Sequence, residues 1–221
     1  MSLFLRLKSD CTAEWEAYTR HEFVRGMGDG TLPKACFQHY LIQDYLFLIQ
    51  FARAYALAVY KADSLDMMRG ALDGLKAILE VEMQLHLKHC KEWGLSPAEV
   101  ERTPESLATL AYTRFVLEAG QSGDLLDLYV ALAPCMVGYA EIGSALSANK
   151  ANPASENPYD VWIDEYASEA YQQIASDTVD LIDTLAEASF TEKRYPKLRE
   201  LFRQATRLEA DFWEMGLRLA P

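Results

Sequence analysis

The chain reads as an all-α protein, one helical domain spanning residues 1–221 and built from about seven helices. Three observations lead there. Apolar residues recur at three- and four-residue spacing almost from end to end, as one buried face of a helix requires. No segment alternates apolar and polar residues as a half-buried strand does. Capping and breaking residues fall where the periodic runs end. Half of the residues are hydrophobic, and 221 residues are enough to bury one sizeable core.

The periodic runs predict helices over residues 2–25, 33–61, 64–93, 104–121, 124–148, 158–188 and 191–219. The first is expected to end in Gly26-Met27-Gly28-Asp29-Gly30. That segment follows a helix rather than a strand and has no G-K-[ST], so it reads as a plain turn and not a phosphate loop. The second contains Leu41 to Phe51, apolar nearly all round, which marks a central helix. Gly94 ends the third, and Ser96-Pro97-Ala98-Glu99 reads as a capping box with proline at the first helical position. Gly120 and Gly123 bracket a turn. The fifth helix holds Pro134, which has no N–H for the carbonyl of Val130 and is expected to kink the chain. Residues 149–158 are polar, with two prolines and three asparagines, and read as a loop.

Net charge is −12 and no basic patch is present, which argues against nucleic-acid binding. Residues 151–192 carry ten acids and no Lys or Arg, a solvated face or a field that favours cationic small molecules. No apolar run near the ~20 residues of a membrane helix stands out, and the start lacks a signal-peptide core. Cys11, Cys36, Cys90 and Cys135 form no C-x-x-C pair, so free thiols in a reducing, cytoplasmic compartment are expected.

Three polar residues sit where apolar ones are expected. Cys135 follows the helix-internal proline, with Gly138 and Tyr139 on the same face, an arrangement suited to a pocket for a flat ligand. Asp44 lies in the stripe Tyr40, Asp44, Phe47, Phe51. Glu209 lies in the stripe Phe202, Ala205, Glu209, Phe212, Trp213, Gly216. Burying a carboxyl group is costly, so each must be bonded, protonated or turned to a ligand. A carboxyl group among aromatics also suits a general acid or base. Further aromatic stripes are Tyr159, Trp162, Tyr166 and Tyr112, Phe115, Val116. Glu82, His86 and His89 have ligand-like spacing, but no histidine follows residue 90 to complete a second half-site. His21 is the one haem-ligand candidate and its neighbours do not support it. The histidines read as surface or capping residues, with no metal site expected.

Taken in order, several segments resemble the TenA/thiaminase II family, within the haem-oxygenase-like all-α superfamily. These are His21-Glu22-Phe23-Val24 with Gly30-Thr31-Leu32-Pro33; Gln43-Asp44-Tyr45; Glu82 to His86 with Trp93-Gly94; Pro134-Cys135 with Tyr139; Asn157-Pro158-Tyr159 through Tyr166; and Glu209 with Phe212-Trp213. The resemblance implies that Cys135 is the nucleophile and Glu209 the acid/base. It implies that Asp44 bonds the amino group and ring nitrogen of a pyrimidine, and that Tyr112, Tyr139 and Tyr166 line the site. Phe47 stands where the family often has tyrosine, so it offers the aromatic ring to the substrate without the hydroxyl. Cys135 places the chain in the cysteine-bearing branch. The implied reaction is hydrolysis of 4-amino-5-aminomethyl-2-methylpyrimidine, with thiamine as a slower substrate and no metal or organic cofactor. A homotetramer is what the family suggests. The rival readings are a di-iron or haem oxidase on a similar bundle and a non-enzymatic helical regulator.

Overall fold

The computed structural model describes residues 2–149 and 157–221. Among these it is helical, with no strand. The helices are α1 (Leu3–Asp10), α2 (Thr12–Thr19), α3 (Glu22–Gly28), α4 (Lys34–Lys61), α5 (Leu65–Ala77), α6 (Met83–Glu92), α7 (Pro97–Glu101), α8 (Leu107–Ser122), α9 (Leu125–Ala148), α10 (Asp160–Ala167), α11 (Glu169–Ser189) and α12 (Tyr195–Arg218). A π-helical turn, Ile78–Glu82, joins α5 to α6.

The count exceeds seven because three of the expected helices are broken and a short helix, α7, follows the Ser96 capping box outside the expected ranges. The first breaks at Cys11 (φ −118°, ψ 29°) and again at Arg20, and His21 then caps α3 by accepting the Phe23 N–H on Nδ1 at 3.2 Å. The sixth breaks at Ser168 (ψ 147°), whose hydroxyl accepts the Tyr171 N–H and starts α11. The third carries the π turn. The 26–30 segment is also corrected: Gly26 and Gly28 are helical, and the chain turns at Gly30 (φ +69°). Gly28 is close to the end of the Leu146 side chain, which a Cβ there would displace. Gly120 likewise lies inside α8, and Gly123 ends it. The capping box at Ser96 is formed, with Ser96 N–H on Glu99 at 2.8 Å. Of the expected loop at 149–158, residues 150–156 lie outside the described ones.

Helix α9 runs unbroken through Pro134. By length and composition it is apolar enough to cross a membrane, contrary to the expectation that no such run exists. Yet 78% of that stretch is buried within the protein, and it includes Asp127 and Glu141, as a core helix tolerates.

The chain divides into two compact units, residues 1–33 with 129–214, and residues 34–128 with 215–221. The first has an aromatic core. Trp15 stacks on Phe202 at 5.7 Å, Phe23 on Trp213 at 5.0 Å and Tyr18 on Trp213 at 6.3 Å. Offset and edge-on ring pairs of this kind add about 0.5–1.5 kcal/mol each beyond their buried area.

The second unit is arranged around α4, whose Leu41, Leu46, Phe47, Leu48 and Phe51 are buried as expected for a central helix. Gln43, also buried, fixes its neighbours: its amide N–H donates to the Pro104 carbonyl (3.0 Å). Its oxygen accepts from the Ser106 N–H (2.9 Å) and the Thr109 hydroxyl (2.7 Å). Cys36 and His39 reach the carbonyls of Leu217 and Ala220 at the chain's end. The π turn sets the register of α6. Met83 N–H bonds the Ile78 carbonyl five residues back. In an unbroken α-helix His86 would lie about 80° round from Ile78; the extra residue removes about 100° of that. Ile78, Met83, His86 and Cys90 are thereby all buried.

Candidate active site

The first unit carries Cys135, Tyr139, Tyr166 and Glu209. Cys11, Cys36 and Cys90 are buried, whereas Cys135 is partly exposed. On α9 the residues before it, 125–134, are buried, and 135–137 open to solvent before burial resumes at 138. The turn is held by Tyr18, fully buried, whose hydroxyl donates to the Pro134 carbonyl at 3.3 Å. Its ring lies against Gly138, where any side chain would strike it. Proline and glycine thus bracket the thiol. The proline removes one donor, and the glycine admits an aromatic ring to the helix surface.

One turn past Cys135, Tyr139 enters a cluster of rings. It packs on Tyr166 at 5.0 Å, Trp213 at 5.2 Å and Trp162 at 5.8 Å, and Trp162 lies 4.4 Å from Tyr166. Gly143 lets α9 approach the α10 backbone at Tyr166 and Ala167 too closely for a Cβ. Glu209 precedes Trp213 by one turn of α12 and is 1% exposed. The expectation of a buried carboxyl group on an aromatic stripe therefore holds: Phe202, Ala205, Phe212 and Trp213 are buried with it. Cys135 and Glu209 each stand one turn before a ring of the same cluster.

The second unit carries Asp44, Phe47 and Tyr112. Phe47 and Tyr112 are in ring contact at 5.0 Å, and Phe47 continues to Phe51 at 5.3 Å. Asp44, one turn before Phe47, is bonded as its burial requires. Tyr40 donates its hydroxyl to Oδ2 at 3.1 Å, and His86 Nε2 meets the same oxygen at 2.7 Å. His86 is 2% exposed, and its other nitrogen, Nδ1, bonds the Glu82 carbonyl at 2.9 Å. Burial alone would lower the pKa of His86, but the hydrogen bond and charge of Asp44 outweigh it and the pKa is raised.

His86 overturns the reading of the histidines as surface or capping residues. It is a core partner of Asp44. The sequence conceals this because the π turn moves His86 off the face a regular helix would give it. His21 does cap a helix, and also approaches Glu214 at 3.3 Å. Both ring nitrogens of His86 are engaged, and among the described residues no group of three or more His, Cys, Asp or Glu side chains could hold a metal ion.

Residues 9–219 match the model of the TENA/THI-4/PQQC family. An aminopyrimidine aminohydrolase of Halalkalibacterium halodurans is 39% identical over 217 residues, covering 98% of this chain and 96% of that protein. Among solved structures, a protein of Silicibacter sp. TM1040 described as a TenA family transcription regulator superposes with a TM-score of 0.91 at 44% identity, covering 97% of this chain and 96% of that one. A Shewanella denitrificans domain of unknown function with a haem-oxygenase-like fold gives a TM-score of 0.75 at 14% identity, covering 98% and 92%. The likeness to it extends to the fold alone.

Proposed function

The chain belongs to the TENA/THI-4/PQQC family, and we propose that it is an aminopyrimidine aminohydrolase of the thiaminase II type. Its substrate is 4-amino-5-aminomethyl-2-methylpyrimidine, which it converts with water to the hydroxymethylpyrimidine and ammonia in thiamine salvage; thiamine is a slower substrate. The aminohydrolase similar over nearly its whole length supports this reaction class. The observation that carries the reading to residues is the opening of α9 at Cys135, the partly exposed cysteine among four.

The roles follow from the chemistry. An aminopyrimidine is electron-rich and resists a nucleophile until a ring nitrogen is protonated or strongly hydrogen-bonded. Asp44 supplies that polarisation and holds the amino group. The Cys135 thiolate adds to a ring carbon, and aromaticity is broken. The electron pair released in the ring then expels the exocyclic amine, which Glu209 protonates, so ammonia departs and an exocyclic methylene remains. Glu209, now a carboxylate, takes a proton from water as it adds to the methylene. Departure of the thiolate restores the ring. Covalent catalysis divides one difficult displacement into easier steps, and a positioned acid/base contributes about 100-fold or more. Tyr139 and Tyr166, in ring contact in the first unit, and Phe47 and Tyr112, in ring contact in the second, supply aromatic lining. The family match runs through both units, which supports treating residues 1–221 as one functional domain. A cytoplasmic homotetramer without nucleic-acid or membrane partners completes the proposal.

A regulator is the second reading, favoured by the description of the Silicibacter protein. The net charge of −12 opposes direct contact with nucleic acid. Ammonia release from the aminomethylpyrimidine, with thiamine beside it, tests the enzyme. Cys135→Ala is expected to abolish release while still binding the pyrimidine, and Glu209→Gln to lose most activity with the fold intact. Undiminished turnover by Cys135→Ala refutes the nucleophile.

A further inference from the structure

Asp44 is held by a partner that none of the roles above uses. The His86 ring is fixed at both ends. A carbonyl oxygen can only accept, so Nδ1 must carry a proton to bond Glu82 at 2.9 Å. The other nitrogen, Nε2, meets Asp44 Oδ2 at 2.7 Å, and Tyr40 donates to that same oxygen at 3.1 Å. Both lone pairs of Oδ2 are thereby used, and neither bond falls on Oδ1. Asp44 and His86 are almost fully buried, with side chains 7% and 2% exposed. An ionised carboxylate that deep needs a compensating charge, and the short N···O distance is that of a charge-assisted bond.

Resting on the functional reading above, we propose that His86 is the positioning residue for Asp44. As an imidazolium tethered to the Glu82 carbonyl, it locks Oδ2 and turns Oδ1 out as the single acceptor the pyrimidine's amino group and protonated ring nitrogen share. The π turn is part of this device, since it brings His86 onto the buried face. The upward pKa shift of His86, in which the Asp44 bond and charge overcome burial, agrees with an imidazolium.

The experiment compares Cys135→Ala protein with Cys135→Ala/His86→Ala and Cys135→Ala/His86→Gln, so that the ligand is not consumed. Binding of 4-amino-5-aminomethyl-2-methylpyrimidine is followed by calorimetry. Loss of His86 should weaken it about 10- to 100-fold, the range a charge-assisted hydrogen bond spans when its loss falls on binding. Glutamine, which keeps one N–H donor, should recover part of that loss. In otherwise native protein, His86→Gln should raise KM more than it lowers kcat. Equal binding by all three proteins overturns the proposal, even if His86→Ala lowers Tm. A ¹⁵N spectrum of ligand-free protein gives a readout independent of substrate: both His86 nitrogens should be protonated near neutral pH, and an unprotonated Nδ1 overturns the tether. If the spectrum shows the imidazolium but no aminopyrimidine binds to any of the proteins, the functional reading falls, and the role of His86 toward a pyrimidine falls with it.

Discussion

Gly138→Ala is a one-carbon test of how the Cys135 turn is built. On a generic helix the change stabilises by about 1 kcal/mol, because alanine restricts the unfolded chain and suits a helix. Here the new methyl group would lie within 3.0 Å of three atoms of the Tyr18 ring, including its oxygen. Tyr18 is fully buried, so the ring cannot swing to solvent. Overpacking of this kind costs about 1–3 kcal/mol, and breaking the Tyr18–Pro134 bond adds about 1 kcal/mol. Set against the helix gain, the net loss is about 1–3 kcal/mol, or roughly 2–12 °C in Tm for a chain of this size. Tyr18 holds the carbonyl immediately before Cys135, so the shift reaches the thiol. Misplacement by about 1 Å costs up to 100-fold in rate. Urea unfolding and steady-state ammonia release on the same preparation measure both effects. A variant that gains the full helix-propensity increment and turns over as wild type would refute the close Tyr18–Gly138 packing and its bearing on the site.

Asp44→Ala should chiefly raise KM, by about tenfold or more, because it removes the acceptor of the amino group; a wild-type KM in steady-state assays counts against that role. Stability should depend on pH through His86. Its pKa is raised in the folded protein, so its contribution is complete below the unfolded value of about 6.5 and is lost as pH climbs through the folded value. His21 and His89 are shifted down, mainly by burial, and act in the opposite sense. The measurement is therefore the difference in unfolding free energy between wild type and His86→Gln, which should shrink as pH rises from 6 to 9; a difference that grows would contradict the sign. Alkylation of native protein should modify Cys135 first. Burial pushes Cys11 and Cys90 up to about 11 and raises Cys36, so those thiols are scarcely ionised and poorly reached. Peptide mapping that finds any of these three modified ahead of Cys135 would contradict the opening at residue 135.

Much of the fold can be read from periodicity because burial is periodic. Residues 33–61 and 124–148 read as helices and appear as Lys34–Lys61 and Leu125–Ala148, with Asp44 and Glu209 buried on the faces the spacing assigns. The breaks are not legible. Cys11, Arg20 and Ser168 interrupt runs whose apolar spacing is preserved on both sides, and none is a proline or glycine. Ser168 ends α10 and caps α11 in a single residue, a signal present in the sequence but indistinguishable from a serine on a helix surface. Gly26, Gly28 and Gly120 mislead in the opposite direction. Glycine is read as a breaker because of its freedom, but at Gly28 and Gly120 it serves as a gap, admitting Leu146 in one case and Leu57 and Leu128 in the other.

The candidate site shows the same asymmetry more sharply. A polar residue on an apolar stripe announces itself, which is why Cys135, Asp44 and Glu209 can be picked out singly. Its partner does so only if the partner's own helix is regular. Glu82 and His86, four apart, look like two side chains on one face. In the folded chain Glu82 instead offers its backbone carbonyl to the His86 ring, while that ring turns to Asp44, 42 residues earlier. One residue of excess in the turn Ile78–Glu82 is responsible: it sets His86 about 20° from Ile78 round the helix axis, where eight regular steps would set it about 80° away on the other side. Deleting Leu79, an exposed residue inside the turn, should therefore regularise the helix without rotating either flank, because seven steps of about 100° leave His86 on the face it already occupies. The deletion variant should keep the His86–Asp44 contact and bind the pyrimidine as the parent protein does in calorimetry. Loss of pyrimidine binding by a deletion variant that is still folded would contradict the π turn as one surplus residue that sets the phase of His86.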